Sequence, residues 1–217
     1  MLLNIGLGCF LGLLGMLVPL AAAASGADRA SDAELVRAVL KGDQTSYRVI
    51  VERYQGRVHA VIYGMVRNRE DARDLTQETF VRAYQNLPRF RVESGFYTWV
   101  YRIAMNTTID HIRRQKKRAH EAFEDGVATR ETGGVMSDGA HMDSPGKSLE
   151  RKRLHGRLLA ALDELPEDQR QVIVLREVDG LSYKEISEVL EVPEGTVMSR
   201  LFYARRKLQT ALSEERA

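Results

Sequence analysis

The fold of this chain is decided by residues 180–208, which read GLSYKEISEVLEVPEGTVMSRLFYARRKL. Ser182 and Glu185 have the spacing of a capping box, so a helix should begin at Ser182. Pro193 cannot continue that helix because it lacks an N–H group. A second helix should open near Gly195, with an apolar stripe at steps of three or four residues: Val197, Leu201, Ala204 and Leu208. Two short helices around a tight connection are typical of a helix-turn-helix.

The second of these helices carries polar and basic side chains that fall largely off its apolar stripe. They are Ser199, Arg200, Tyr203, Arg206 and Lys207. In a helix-turn-helix the second helix enters the major groove of DNA, so this pattern predicts DNA binding. The alternative is an ordinary helical hairpin within a bundle.

Further helices precede this motif. A leucine stripe, Leu154, Leu158, Leu162 and Leu165, predicts one helix, and Pro166 with the following acids predicts the start of another. That second helix should end at Asp179 and Gly180. We therefore expect a compact helical domain over residues 149–213.

Composition excludes several classes of function. The chain has 217 residues, a formal charge of +2 and a single cysteine, Cys9, so an internal disulfide or a thiolate metal cluster is excluded. The sequence contains no phosphate-binding glycine loop, no nucleophile elbow and no zinc-binding spacing. We therefore expect no enzyme activity, no metal and no cofactor.

Residues 1–30 form an apolar leader without a charged side chain from Leu2 to Ala27. Its length would suffice to span a bilayer, but no basic residue precedes the apolar run as in a secretory signal. Three interpretations stay open: an artefact of the assigned start or a dispensable extension, a membrane anchor, and a cleaved signal.

A first helical domain is expected over residues 31–118. Ser31 and Glu34 repeat the capping-box spacing, and Gly42 is a suitable end for that helix. A longer helix should follow from Ser46 to Arg67, because apolar residues recur there at helical spacing.

The next helix is acidic on one face. Asp71, Asp74 and Glu78 stand at steps that place three carboxylates together. They could form a solvated face offset by nearby arginines, or a docking face for a basic partner. Pro88 should end this helix.

An aromatic and basic helix should run from Phe96 to about Arg118. It opens with four aromatic residues within six positions and closes on a cluster of cations. Aromatic rings can stack on unpaired bases while cations hold the phosphates. The alternative is that Phe96 and Trp99 belong to the core and that the cations are solvated at the helix end, where the helix dipole favours them. We expect some of the rings to be buried and some to contact DNA.

Residues 119–148 change character. They are rich in glycine, serine and acidic residues and lack periodicity, so they predict a flexible linker. The fold class is therefore all-α, with two small helical domains joined by this linker and a helix-turn-helix in the second.

The order of these motifs resembles the extracytoplasmic-function sigma factors, the smallest bacterial members of the sigma-70 family. Residues 71–80 (DARDLTQETF) resemble the family's polymerase-binding helix, and residues 96–106 (FYTWVYRIAMN) its promoter-melting, minus-ten-element helix. Residues 165–177 and 180–183 resemble the start of the minus-thirty-five-binding domain, and residues 193–201 (PEGTVMSRL) its recognition helix.

The resemblance implies three sets of contact residues. Those for the polymerase are Asp71, Asp74, Gln77, Glu78 and Phe80. Those for the minus-ten element are Arg91, Phe96, Tyr97, Trp99, Arg102, Asn106 and Arg113. Those for the minus-thirty-five element are Arg176, Thr196, Met198, Ser199, Arg200, Phe202, Tyr203 and Arg205.

The same resemblance implies a sigma factor that directs promoter recognition and melting, for a stress or envelope response. Its partners would be the clamp helices of the largest core RNA polymerase subunit, the flap of the second-largest subunit, promoter DNA and an anti-sigma factor. A cytoplasmic location follows, with membrane contact by the leader as an alternative. A helix-turn-helix regulator that is not a polymerase subunit is the other function that stays open.

Overall fold

The computed structural model describes residues 30–90, 95–124 and 156–213, and these residues form helices without any strand. The all-α fold class is therefore confirmed. The helices, in chain order, are α1 (Asp32–Leu40), α2 (Gln44–Val66), α3 (Arg69–Asn86), a 3-10 turn (Leu87–Arg89), α4 (Phe96–Glu124), α5 (156–163), α6 (Glu167–Glu177), α7 (Tyr183–Leu190) and α8 (Glu194–Ser213).

The starts of the helices follow from side chains that cap them. Ser31 and Ser182 each form the expected capping box, with Glu34 and Glu185 as partners. Helix α2 begins two residues earlier than the apolar pattern indicated, because Asp43 accepts a hydrogen bond from the backbone N–H of Thr45.

The ends of the helices are also set locally. Gly42 and Gly180 adopt φ angles of 101° and 80°, in the left-handed region that glycine tolerates. Helix α4 runs to Glu124 rather than to Arg118. No proline or glycine interrupts it there, and Lys117 and Glu121 form an i,i+4 ion pair at 3.7 Å.

The first half of the described chain is built around α2. Helices α1, α3 and α4 all pack against it, and α3 also packs against α4. Fully buried side chains at the centre include Ile50, Val58, Ile62, Ala83 and Tyr101. This arrangement leaves one flank of α3 facing α4 and the other beside α2.

The second half packs α6, α7 and α8 against each other. The stripe predicted on α8 is confirmed, since Val197, Leu201, Ala204 and Leu208 are at most 1% exposed. Leu158, Leu162 and Leu165 of the leucine stripe are likewise buried, and Leu154 lies outside the described residues.

The two halves are in direct contact. Helix α2 packs against α6, and α4 packs against α7. Gly64 of α2 lies so close to α6 that a Cβ placed on it would be 2.9 Å from Cγ1 of Val174. Residues 125–148 of the predicted linker and the leader up to residue 29 lie outside the described residues.

Within the ranges that the structure describes, no helix combines the length and the apolar character needed to cross a membrane.

Candidate polymerase and nucleic-acid interfaces

Helix α8 presents an exposed face of large apolar side chains. Met198, Phe202 and Tyr203 are 55%, 62% and 55% exposed, although residues of this size and polarity are usually covered. They stand on the side of α8 opposite its buried stripe, where the rings of Phe202 and Tyr203 meet edge to face with their centroids 5.4 Å apart. Apolar side chains in the major groove can contact the methyl group of thymine.

The polar residues of α8 border this face. Ser199 is exposed and donates a hydrogen bond from Oγ to the carbonyl of Thr196 at 3.0 Å. Arg200 is partly covered because its Nε lies 3.1 Å from Oδ2 of Asp168. Arg200 therefore reaches DNA only by exchanging this half-exposed carboxylate for a phosphate or a base.

Two arginines assigned to DNA by the resemblance are held inside the second half. Arg176 donates to the carbonyl of Leu181 at 2.7 Å and stacks over the ring of Tyr183. Arg205 donates from Nε and Nη2 to Glu177, whose side chain is 3% exposed. Burial lowers the pKa of Arg205, but hydrogen bonds and attraction from Glu177 outweigh it and leave that pKa above its ordinary value.

The aromatic start of α4 divides between core and surface. Phe96 is 4% exposed and packs in a triangle with Phe90 and Trp99, with ring centroids 5.0–5.6 Å apart. Trp99 is half-buried and Tyr101 is fully buried. The structure thus places Phe96 in the core, where it cannot touch a base without rearrangement, and Trp99 at the edge of that core.

Tyr97 and Arg102, both assigned to DNA by the resemblance, contact the second half of the chain. The hydroxyl of Tyr97 donates to Asp179, which also accepts from Nε of Arg57 at 2.8 Å. Arg102 donates to the carbonyl of Glu188 at 2.7 Å. Burial raises the pKa of Tyr97, and the negative charge of Asp179 raises that pKa further.

The remaining residues assigned to the minus-ten element are spread along α4. Asn106 is exposed. Nε of Arg113 lies 3.9 Å from Glu167, and Nζ of Lys116 lies 3.4 Å from the same carboxylate. Arg91 lies outside the described residues.

The three acidic residues of α3 differ in their surroundings, and only Asp71 contacts α4. Asp71 accepts a hydrogen bond from Gln115 at 3.2 Å and lies 3.5 Å from Nε2 of His111. Glu78 pairs with Arg82 at 2.6 Å. Asp74, which lies between Asp71 and Glu78 along the helix, is exposed. Of the three carboxylates, Asp74 is the most accessible for a partner.

Gln77 and Phe80 lie on the other flank of α3, beside a groove of about 930 Å³ between α2 and α3. The groove is lined by Gln44, Tyr47, Arg48, Val51, Gln55, Gly56, His59, Arg73, Thr76, Gln77, Phe80, Val81, Tyr84 and Gln85. Val81 and Tyr84 are 48% and 43% exposed in it. The hydroxyl of Tyr47 donates to the carbonyl of Phe80, and burial raises the pKa of Tyr47.

Neither this groove nor the partners of α4 were predicted from the sequence. Val81 and Tyr84 lie off the inward stripe of α3. Large apolar residues at such positions could have indicated an exposed apolar surface from the sequence alone. Arg57 and Asp179 carried no such signal. Their pairing joins positions that are far apart in the sequence and depends on how the two halves meet.

Comparison with known proteins identifies both halves of the chain. The family description "Sigma-70 region 2" matches residues 50–118, and "Sigma-70, region 4" matches residues 155–208. The ECF RNA polymerase sigma-E factor of Salmonella typhimurium is 37% identical over 183 residues, which cover 83% of this chain and 94% of that protein. The RNA polymerase sigma-H factor of Pseudomonas aeruginosa is 36% identical over 183 residues, covering 83% and 93%.

The fold is similar to that of a solved sigma factor. The sigma factor RpoE in complex with the anti-sigma factor NepR, from Bartonella quintana, matches with a TM-score of 0.63 and 23% identity. The match covers 79% of this chain and 99% of that one. At this identity the match supports the fold, and the two sequence relatives support the family. The chain therefore belongs to the extracytoplasmic-function sigma factors of the sigma-70 family.

Proposed function

We propose that this chain is a promoter-specificity subunit that binds core RNA polymerase, melts the minus-ten element with its first half and reads the minus-thirty-five element with its second. The observation that carries the proposal is the pair of distinct surfaces on adjacent helices α3 and α4, next to a helix-turn-helix. A regulator that only binds duplex DNA needs neither the groove beside α3 nor the aromatic start of α4.

Polymerase binding is assigned to α3. The groove offers Gln77, Val81 and Tyr84, a mixed apolar and polar surface of the kind that anchors protein partners, whereas Phe80 is only 6% exposed at its base. Asp74, which is exposed, and Glu78, which pairs with Arg82 of the same helix, would meet cations of the clamp helices in the largest subunit. The second half would contact the flap of the second-largest subunit.

Recognition of the melted minus-ten strand is assigned to α4. Tyr97 and Trp99 offer rings for stacking on unpaired bases, and Arg102 and Arg113 offer charge for the backbone. Asn106 is exposed on the same helix and can hydrogen-bond to a base edge. Phe96 supports Trp99 from the core.

Recognition of the minus-thirty-five element is assigned to α8. Met198, Phe202 and Tyr203 would contact thymine methyl groups, while Thr196, Ser199 and Arg200 would hydrogen-bond to bases or phosphates. Arg176 and Arg205 act indirectly, because each holds the helices of this half in place.

The finer biological setting is also a proposal. We infer a cytoplasmic site of action, a stress or envelope regulon, and control by an anti-sigma factor, as in the solved RpoE–NepR complex. The chain would act by binding and would itself catalyse no reaction.

Run-off transcription with purified core polymerase and a promoter from the protein's own operon tests this proposal. We expect specific transcripts only when the chain and core polymerase are both present. Specific binding to that promoter by the chain alone, with no transcript in the presence of core polymerase, would instead indicate a helix-turn-helix regulator.

A further inference from the structure

The groove between α2 and α3 has an aromatic end and a cationic end. The first turn of α2 meets the last turns of α3, because the Tyr47 hydroxyl donates to the carbonyl of Phe80 and the rings of Tyr47 and Tyr84 stand 4.8 Å apart. Farther along α2, His59 lines the other end, about 18 Å away at the rise of an α-helix. The two helices run antiparallel around a short connection, so Arg73, near the start of α3, lines the same end as His59.

The cations of the groove have no acidic partner. Among the described residues that line it, none is a carboxylate. Arg48 and Arg73 are exposed and form no ion pair or hydrogen bond with any described residue, whereas the other two arginines of α2 pair with carboxylates. Burial lowers the pKa of His59, and the positive charge of Arg69 lowers that pKa further. The groove therefore holds positive charge that suits an anion.

The opposite end offers an aromatic surface with amide groups beside it. Tyr84 is 43% exposed, and its edge-to-face contact with Tyr47 supports its ring. Aromatic side chains of this kind stack on nucleobases of any sequence. Gln44 and Gln85 line this end, and each amide carries both donors and an acceptor for the edge of a base. One groove thus brings a stacking surface and cations within reach of a single ligand.

We propose that this groove binds a nucleotide, with its base against Tyr84 and its phosphates between His59 and Arg73. The cavity of about 930 Å³ lies within the range of about 300–1,000 Å³ that is usual for small-molecule sites. The separation of the two ends favours a nucleoside triphosphate over a monophosphate, because a single phosphate stays close to its ribose.

A nucleotide in the groove would also compete with core polymerase. Val81 and Tyr84 are exposed in the groove and belong to the surface assigned to the polymerase. Both occupants cannot cover the Tyr84 ring at once, so the nucleotide would lower the affinity of the chain for core polymerase. This consequence rests on the proposed function of the groove, whereas nucleotide binding by the free chain does not.

Isothermal titration calorimetry of the full-length chain, without polymerase, tests nucleotide binding. ATP and GTP are the probes, and adenosine and inorganic triphosphate are titrated separately because they represent the two parts of the ligand. We expect saturable binding of ATP or GTP, and weaker binding of adenosine and of triphosphate, since each part reaches only one end of the groove.

Substitutions at either end should weaken the binding of ATP. Arg73→Ala removes a phosphate contact and should weaken it by about tenfold or more. Tyr84→Ala removes the stacking surface and should weaken it by about 5- to 100-fold, whereas Tyr84→Phe keeps the ring and should bind as the wild type does. Arg89→Ala is the matched control, since it removes an exposed arginine that does not line the groove.

The proposal is overturned if neither ATP nor GTP binds saturably at millimolar concentrations, or if Arg73→Ala and Tyr84→Ala both bind ATP like the wild type. Equal affinity for ATP and inorganic triphosphate, with no effect of Tyr84→Ala, would overturn it as well, because the groove would then hold any polyanion. If circular dichroism shows that Tyr84→Ala does not fold, Arg73→Ala and the comparison of ATP with triphosphate decide.

Competition with core polymerase is measured separately. ATP should displace the wild-type chain from fluorescently labelled core polymerase, and Arg73→Ala should need about tenfold more ATP or above, a comparison that removes any effect of ATP on the polymerase itself. Nucleotide binding without displacement would refute the competition. Run-off transcription without nucleotide binding would refute this inference alone, whereas nucleotide binding without transcription would refute the proposed function.

Discussion

Glu177 and Arg205 form a largely buried ion pair between α6 and α8, in which one carboxylate oxygen accepts from two guanidinium nitrogens at 2.7 and 3.2 Å. The Glu177 side chain is 3% exposed and that of Arg205 is 28% exposed. Removing the arginine would leave a buried carboxylate without its partner. The pair thus couples the recognition helix to the helix that precedes the helix-turn-helix.

We therefore expect Arg205→Ala to lower the free energy of unfolding of the second half by about 1–3 kcal/mol. Arg206→Ala, on the exposed side of the same helix, should change it by no more than about 0.5 kcal/mol. Urea denaturation followed by circular dichroism measures both. Equal stability of the two variants would show that the Glu177 pair contributes nothing.

The exposed apolar face of α8 predicts how the minus-thirty-five element is read. If Met198 or Phe202 touches a thymine methyl, replacing that thymine by uracil removes one buried methyl group. The loss should be about 0.8 kcal/mol, or about fourfold in affinity. In the Met198→Ala or Phe202→Ala variant, replacing thymine by uracil should not lower the affinity further at the base that the missing side chain would contact.

Affinities of the polymerase complex for the two DNAs provide the measurement. Gln209→Ala, exposed farther along α8, serves as the control and should remain sensitive to uracil. If the alanine substitution and the uracil replacement each lower the affinity, and their effects add at every thymine, these side chains do not contact the methyl groups.

Polymerase binding is expected to depend on the groove between α2 and α3. Val81→Glu places a charge at a groove position that is 48% exposed and should weaken binding to core polymerase by about 2 kcal/mol, as for a central interface residue. Val49→Glu makes the same change at a residue of α2 that is 38% exposed and outside the groove. Competition for fluorescently labelled core polymerase measures both affinities.

The carboxylates of α3 are also expected to contribute to polymerase binding. Asp74→Lys combined with Glu78→Lys should abolish polymerase binding while the chain stays folded, because like charges across an interface cost several kcal/mol. Undiminished co-purification of this double variant with core polymerase would exclude the acidic docking surface and leave the groove as the binding site.

Stability should depend on pH through the capping box of α7. Hydrogen bonds from the Ser182 hydroxyl, and then from its backbone N–H, lower the pKa of Glu185 below its ordinary value of 4.5. A carboxyl with a lowered pKa in the folded state stabilises that state above the unfolded pKa, and this contribution is lost as the pH falls through the folded pKa. Glu185→Gln should therefore flatten the pH dependence of the unfolding free energy below about pH 5, as measured by urea denaturation across that range.

The folded unit is expected to be independent of the apolar leader. A chain that starts at Asp28 keeps the Ser31 capping box and the contacts of Arg53 with Asp32 and with the carbonyl of Ala30. Its melting temperature and its transcription with core polymerase should equal those of the full chain. A chain that starts at Val36 loses these contacts and should melt earlier, and a defect already present in the Asp28 chain would show that the leader is needed.

The helices and many of their boundaries could be predicted from local interactions along the chain. Serine caps, proline and glycine act through neighbours three or four residues away, so Ser182, Gly180 and Pro193 set the helix-turn-helix without help from the rest of the chain. The inward stripe of α8 was equally predictable, because helical spacing alone decides which residues share a face.

Which faces of the helices remain exposed depends on how the helices pack together and could not be predicted locally. The run from Val172 to Leu175 is buried on every side because α6 packs against α2 as well as against α8. Phe96 is buried while Tyr97 meets Asp179, a partner 82 residues away, and the groove beside Phe80 is formed jointly by side chains of α2 and α3. Contacts over such separations depend on the packing of whole helices, so side chains with the same local pattern end in the core, in a groove or against the other half.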